Sequence, residues 1–142
     1  MSLEIRPARP EEIAACAELH GRVARATFTW LPIDDPEGDI LRAAADEEFF
    51  VAVEDERVVG FAAFYRPDNF LHSLFVDLDR QSQGIGLRLL AQVDAIADAP
   101  ISLKAQLLNH RAVAFYRREG FAEYERGIDP KDGSTWIRMR RL

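Results

Sequence analysis

The spacing of apolar and polar positions changes several times along the chain, and each change marks an element. Leu3 to Arg6 alternates apolar and charged residues and ends at Pro7, which suits a short strand at a sheet edge. From Pro10 to about Ala24 the period lengthens to that of a helix. Pro10 stands near its first turn with Glu11 and Glu12 behind it, and Ile13, Cys16, Ala17 and His20 recur on one face. Thr27 to Pro32 breaks this pattern with Phe28 and Trp30, and Asp34, Asp35, Glu37 and Asp39 follow. A second, shorter helix from about Pro36 to Ala45 turns Ile40, Leu41 and Ala44 inward. The acidic cluster reads as a solvated face and a helix N-terminal bias.

Period two sets in at Glu48. Phe49 to Val53 and Val58 to Tyr65 flank Asp55-Glu56 as a β-hairpin, and Pro67-Asp68-Asn69 separates it from a strand over Phe70 to Val76. An amphipathic helix then runs from the Gly84/Gly86 pair towards Pro100, with Leu87, Leu89, Leu90, Val93 and Ile96 as its apolar set. Ile101 to Leu108 reads as a strand and Arg111 to Arg118 as a short helix stopped by Gly120. Phe121 to Ile128 and Thr135 to Met139 close the chain as strands about the turn Asp129 to Gly133. The predicted order is β-α-α-β-β-β-α-β-α-β-β. A helix between the fourth and fifth strands makes those two parallel neighbours, and hairpins elsewhere make the sheet mixed.

Composition narrows what such a domain does. At 142 residues the chain is expected to form one domain, 1–142, and 48% hydrophobic against 30% charged residues is ordinary for a globular protein. Its formal charge of −6 argues against nucleic acid as a partner and favours a cationic acceptor. With Cys16 alone there is no disulfide framework, and its place on the apolar stripe makes it a buried structural thiol. Met1 to Arg6 lacks an apolar core of signal-peptide length and no apolar run reaches membrane-spanning length, so the expected setting is cytoplasmic, with no membrane partner.

Candidate chemistry centres on Gln81-Ser82-Gln83-Gly84-Ile85-Gly86, which opens the helix after the Phe70 to Val76 strand. Two glycines around one residue leave backbone N–H groups uncovered at a helix start, where none has an intrahelical acceptor, and this makes an anion site. A dinucleotide fingerprint wants a third glycine where Leu89 stands, and a P-loop wants Gly-Lys-Ser or Gly-Lys-Thr, which does not occur.

Gln81-x-x-Gly84-x-Gly86 after a strand ending Leu74-Phe75-Val76, followed by Asn109-x-x-Ala112-x-x-Phe115-Tyr116 and Glu119-Gly120-Phe121, resembles the GNAT N-acetyltransferase superfamily. The resemblance covers nearly the whole chain, from Ile5-Arg6-Pro7-Ala8 onward. It implies an α/β (α+β) fold: a mixed, mostly antiparallel seven-stranded sheet, splayed between parallel fourth and fifth strands, with about four helices. It further implies transfer of an acetyl group from acetyl-CoA to a primary amine of a small molecule or protein, with no metal. By position, Gln81, Ser82, Gln83, Gly84, Ile85 and Gly86 would hold the pyrophosphate. Leu74, Phe75 and Val76 would meet the pantetheine arm, and Asn109, Ala112 and Phe115 would complete the cofactor site. Tyr116 matches the tyrosine that protonates the departing thiolate, a role a phenol of pKa about 10 can fill.

Many members use a glutamate on the fourth strand as base, and none occurs between Phe70 and Val76. His72 is the titratable side chain there and the candidate base, ahead of Asp68 and Ser73. His20 and His110 have no comparable placement, His110 reading as a surface residue at a helix start. The loop with Phe28 and Trp30 is the candidate acceptor wall. Gln81 and Ser82 stand where arginine and glycine are frequent, and Leu87-Arg88 replaces a basic-then-small pair, with Arg88 directed away from the phosphate end. The alternative is an acyl-CoA binding or sensing module without turnover. A homodimer is possible, with Trp136 to Met139 adding to a partner's sheet edge.

Overall fold

The computed structural model describes residues 2–142. Its elements are β1 (Leu3–Pro7), α1 (Ile13–Thr27), α2 (Pro36–Ala43), β2 (Glu48–Glu54), β3 (Arg57–Tyr65), β4 (Phe70–Val76), α3 (Ile85–Ile96), β5 (Ser102–Gln106), α4 (His110–Arg118), β6 (Phe121–Ile128) and β7 (Thr135–Arg141). Short 3₁₀ turns cover Pro10–Glu12, Arg66–Asp68 and Leu78–Arg80. Every predicted element is present in the predicted order, with moved ends. The first helix starts as the 3₁₀ turn and continues to Thr27, β5 is shorter than Ile101–Leu108, and β7 runs on to Arg141.

Local chemistry explains the boundaries. Asp35 caps α2 by accepting from the Gly38 N–H at 3.1 Å, while Glu37 pairs with Arg25 and Asp39 with Arg42, so the acidic cluster is a cap and a set of surface pairs. The β2–β3 hairpin turns on Asp55 and Glu56, both at positive φ (51° and 64°), the backbone of a type I′ turn built here without glycine.

The strands form one sheet in the order β1-β2-β3-β4-β5-β7-β6. β4 and β5 are parallel and pair only at Phe70↔Ser102 and Leu71↔Leu103, after which they part. The β3–β4 ladder shifts register at the same level: Ser73 opposes Ala63 and Leu71 opposes Phe64, leaving His72 as the extra residue of a bulge. β7 lies between β5 and β6, so the expectation that Trp136 to Met139 extends a partner's sheet is corrected. Both sides of β7 are already hydrogen-bonded, and the sheet edges are β1 and β6.

Two cores sandwich the sheet. α3 and α4 cover one face across β2 to β7 through Leu89, Leu90, Val93, Val113, Phe64, Leu71, Leu103, Ile137 and Met139. α1 and α2 cover the other face only over β2 to β4, through Leu19, Val23, Ile40, Phe49, Val51 and Phe61. Cys16 is fully buried in this second core, and burial raises its thiol pKa to about 12, an inert structural thiol. No helix among the described residues is long and apolar enough to cross a membrane.

Asp77 fixes how the chain leaves β4. Its carboxylate, 5% exposed, accepts from Arg22 of α1 at 2.8 Å, Arg57 of β3 at 3.1 Å and its neighbour Leu78 N–H at 2.8 Å. These bonds, the Arg22 one foremost, hold its pKa below the ordinary aspartate value. The stabilisation is therefore complete above that ordinary value, ~3.9, and fades as pH falls through the lower folded-state value. Because both arginines are half exposed, Asp77→Asn is expected to cost about 1–2 kcal/mol at neutral pH. Urea unfolding at pH 7 and again at pH 3 checks this. The gap between the wild type and the variant should narrow in acid.

Candidate functional site

Where β4 and β5 part, a cleft of about 700 Å³ opens, bounded by the end of β4, the start of α3 and one face of α4. Gly84 precedes α3 at φ 81° with no side-chain cap, and a Cβ built there meets nothing within 4 Å. The first main-chain bond of the helix runs from Arg88 N–H to Gly84 C=O at 3.1 Å. The N–H groups of Ile85, Gly86 and Leu87 therefore have no acceptor in the helix, and they open on the cleft. A Cβ on Gly86 would lie 3.8 Å from Phe115 Cζ and Val76 Cγ2, ordinary contact across the cleft floor.

Most of the sequence-predicted set converges here. Leu74, Phe75, Val76, Gln81, Ser82, Gly84, Ile85, Gly86, Asn109, Ala112, Phe115 and Tyr116 line the cleft, and Gln83 does not. Gln81 turns its amide back to β4, donating from Nε2 to Val76 O at 3.2 Å. Asn109 caps α4 by accepting from the Ala112 N–H at 3.4 Å. Ser82 sits at φ 65°, the left-handed region glycine favours, and its hydroxyl accepts from Arg111 Nη2 at 2.5 Å.

Arg80, Arg111 and Arg118 also line the cleft, three cations that sequence reasoning missed. A signal was present. Arg111, Phe115 and Arg118 recur at helical spacing on one face of α4, the face that carries the Asn109 to Tyr116 motif. Arg88 is outside the lining, as its helical position implies.

Tyr116 is 8% exposed, packed edge-on between Phe115 and Phe121 at 5.4 and 5.5 Å. Burial alone raises its phenol pKa above the ordinary value, so the hydroxyl stays protonated beyond the usual range.

On the opposite face of β4 a second cavity, about 280 Å³, is lined by His20, Asp39, Ile40, Arg42, His72, Ser73 and Phe75. The bulge turns His72 to this side, and its Nδ1 lies 3.0 Å from the Glu47 carboxylate. Glu47 precedes β2 and was not singled out from sequence, since only the fold brings it beside β4. Its carboxyl pKa is raised by burial, and the neighbouring His72 opposes that shift. His20 shares the cavity. Its Nδ1–H donates to Pro36 O at 2.8 Å and its ring meets Phe75 edge-on at 4.7 Å, while burial lowers its pKa. Asp68 lies in the 3₁₀ turn before β4 and lines neither cavity, and His110 is the exposed first residue of α4.

Phe28 and Trp30 stack edge-to-face at 5.7 Å and line neither cavity. The Trp30 indole N–H donates to Gln106 Oε1 of β5 at 3.2 Å. The loop after α1 is thereby tied to the far side of the parting strands, while Val23 and Thr27 of α1 reach the cleft itself.

The model of the acetyltransferase (GNAT) family matches residues 13–121. An aminoglycoside N(6')-acetyltransferase type 1 from Stenotrophomonas maltophilia is 31% identical, over 87% of this chain and 89% of its own length. Apo-form YjaB from Escherichia coli superposes with a TM-score of 0.82 at 23% identity, covering 100% of this chain and 99% of that one. The PaiA N-acetyltransferase from Thermoplasma acidophilum, solved with coenzyme A, gives 0.77 at 21% identity over 100% of both chains. These two likenesses speak to the fold.

The two glycines of the turn have different requirements, and stability separates them. Gly84→Ala forces a Cβ into left-handed backbone and should cost about 1–2 kcal/mol. Gly86→Ala lies in the first turn of α3 with room for its methyl group and should be neutral or gain up to about 1 kcal/mol. Thermal unfolding of the two variants side by side measures the contrast.

Proposed function

The chain belongs to the acetyltransferase (GNAT) family, and from that premise we propose that it transfers the acetyl group of acetyl-CoA to a primary amine directly, within a ternary complex. In this reading residues 1–142 act as one catalytic domain in the cytoplasm. The observation that carries it is the uncapped start of α3, which opens on the same cleft as Tyr116 and three arginines.

The residues fit the donor. The N–H groups of Ile85, Gly86 and Leu87 suit a pyrophosphate, and Gly84 leaves the space above them clear. Arg111 and Arg118 supply cationic partners for the phosphates, a role sequence reasoning had left open at Leu87-Arg88. Leu74 and Val76 offer backbone groups to an amide-bearing arm, and Asn109, Ala112 and Phe115 complete the wall. When bound, acetyl-CoA supplies an activated acyl group and a thiol leaving group.

With acetyl-CoA bound, Tyr116 would donate a hydrogen bond to the departing sulfur, which would leave as the thiol with the second proton that the nitrogen gives up as the amide forms. Its raised pKa makes it a persistent donor rather than a readily ionised acid. His72, with Nδ1 directed at Glu47, leaves Nε2 to accept a proton from the incoming ammonium, and Glu47 orients the ring. Phe28 and Trp30 line neither cavity, so an acceptor would meet them only outside, where Trp30 is bonded to Gln106 of β5.

Turnover is read by free-thiol release from acetyl-CoA across a panel of amines, which also separates transfer from binding alone. Tyr116→Phe is expected to lower kcat about a hundredfold with unchanged acetyl-CoA affinity, and His72→Gln to lower kcat/KM for the amine by a similar factor. Weakened acetyl-CoA binding without loss of kcat in the Phe variant overturns the donor role. Because burial raises the Tyr116 pKa, the wild-type rate should show no alkaline fall from this phenol at or below about pH 10.

A further inference from the structure

α1 and α2 cover β2 to β4 on their face of the sheet, and beyond them only the Trp30 loop reaches β5, at Gln106, among the described residues. On that face Lys104 stands directly opposite Arg138, and Gln106 opposite Trp136, while the alternating partners Leu103, Met139 and Ile137 enter the core beneath. Lys104 Nζ lies 4.9 Å from the Trp136 ring centroid and the Arg138 guanidinium 5.4 Å from it. Arg140 covers Tyr124 of β6 at 4.7 Å. Arg138 is paired with Glu125 at 2.8 Å. Among the described residues Lys104 and Arg140 have no carboxylate partner, in a chain whose net charge is −6 and most of whose arginines are ion-paired. Cations above aromatic rings form a shelf that offers anions charge and flat apolar surface together.

The shelf adjoins the proposed acceptor side. Leu71↔Leu103 is the last paired rung between β4 and β5, so His72 and Lys104 are the next residues on the two strands and both turn away from the core that holds Leu71 and Leu103. Lys104 stands one strand from His72 across the opening, and Arg140 is on β7, the strand beyond; two paired strand spacings would be about 10 Å and the parted strands add to that, a span an extended chain covers in roughly three to five residues. A small amine does not reach so far. Resting on the acetyl-transfer reading above, we propose that the acceptor is the N-terminal amine of an acidic peptide segment. The amine meets His72 and Glu47, and carboxylates at about the third to fifth residues lie over Lys104 and Arg140. This local field reverses the cationic acceptor expected from net charge. It also disfavours a polycationic aminoglycoside, the substrate class in the name of the 31%-identical relative.

The test uses the full chain and three hexapeptides with free N-termini: Ala-Gly-Asp-Glu-Asp-Glu, Ala-Gly-Ser-Gln-Ser-Gln and Ala-Gly-Lys-Lys-Lys-Lys. Acetyl transfer should favour the acidic peptide over the neutral one by about tenfold in kcat/KM at low salt, and the preference should shrink as salt rises. Lys104→Glu/Arg140→Glu should invert the order towards the lysine peptide, and the single Lys104→Gln should reduce it. Circular dichroism confirms that these exposed substitutions leave the fold intact. Titration of each peptide into coenzyme A-saturated protein gives the same order without needing turnover. Charge-indifferent binding overturns the shelf, whereas charge-ordered binding without transfer to any peptide overturns the acetyl-transfer reading instead. Self-association of the wild type that the double variant abolishes would mean that a second copy covers this face, and would also overturn the proposal.

Discussion

The parting of β4 and β5 is the constraint on which the rest of this structure depends. Two paired rungs hold the strands together at Phe70↔Ser102 and Leu71↔Leu103. Beyond them β4 keeps its ladder with β3 and β5 keeps its ladder with β7. Each strand then has one ladder filled and one open inside the sheet, where unpaired backbone groups are ordinarily costly. The bulge at His72 sits at the same level and bends β4 away from its parallel neighbour. Trp30, bonded to Gln106, ties α1's loop to the far strand.

Charge is distributed around this opening in a way that the total conceals. Most arginines on the N-terminal half are engaged: Arg6 with Glu12, Arg22 and Arg57 with Asp77, Arg66 with Glu48. Glu12 is held near pKa 2 by Arg6, a pair that ties β1 to the turn before α1. In contrast Arg111 bonds only to a serine hydroxyl, and Arg118 lies over the Phe115 ring at 6.0 Å. Arg111 and Arg118 in the cleft, and Lys104 and Arg140 on the β5–β7 face, thus belong to the cations that lack a carboxylate partner among the described residues, whereas Arg80 in the cleft is paired with Glu54.

Much of this was legible from sequence because it is local. Period-two runs, the Asp55-Glu56 turn and the apolar face of α3 report on a few neighbouring residues, and each element formed where its pattern stood. The Gln81 to Gly86 turn was readable because exposed helix N–H groups depend only on which residues carry side chains there. What escaped was non-local. The insertion of β7 between β5 and β6 follows from relative burial, since Ile137 and Met139 are both fully buried while β6 buries only Phe121. Hairpin pairing alone does not say which strand is inner. Glu47 and His20 were missed as neighbours of His72 because α1, the α2–β2 link and β4 meet only in three dimensions.

The arrangement of the two candidate proton-handling groups follows from strand geometry. Successive residues of a strand face opposite sides of the sheet. Leu74 and Val76 belong to the face packed by α3 and α4, where Tyr116 lies, and Phe75 belongs to the face packed by α1 and α2. The bulge adds one residue and brings His72 to the latter face together with Ser73. The donor and the acceptor line different cavities, and among the described residues Phe75 lines both. In the proposed reaction the amine therefore loses its proton on the α1–α2 side while the sulfur gains a hydrogen bond on the α4 side. The two groups can meet through a substrate only where the sheet has opened, so the break between β4 and β5 sets the position of the reacting carbon.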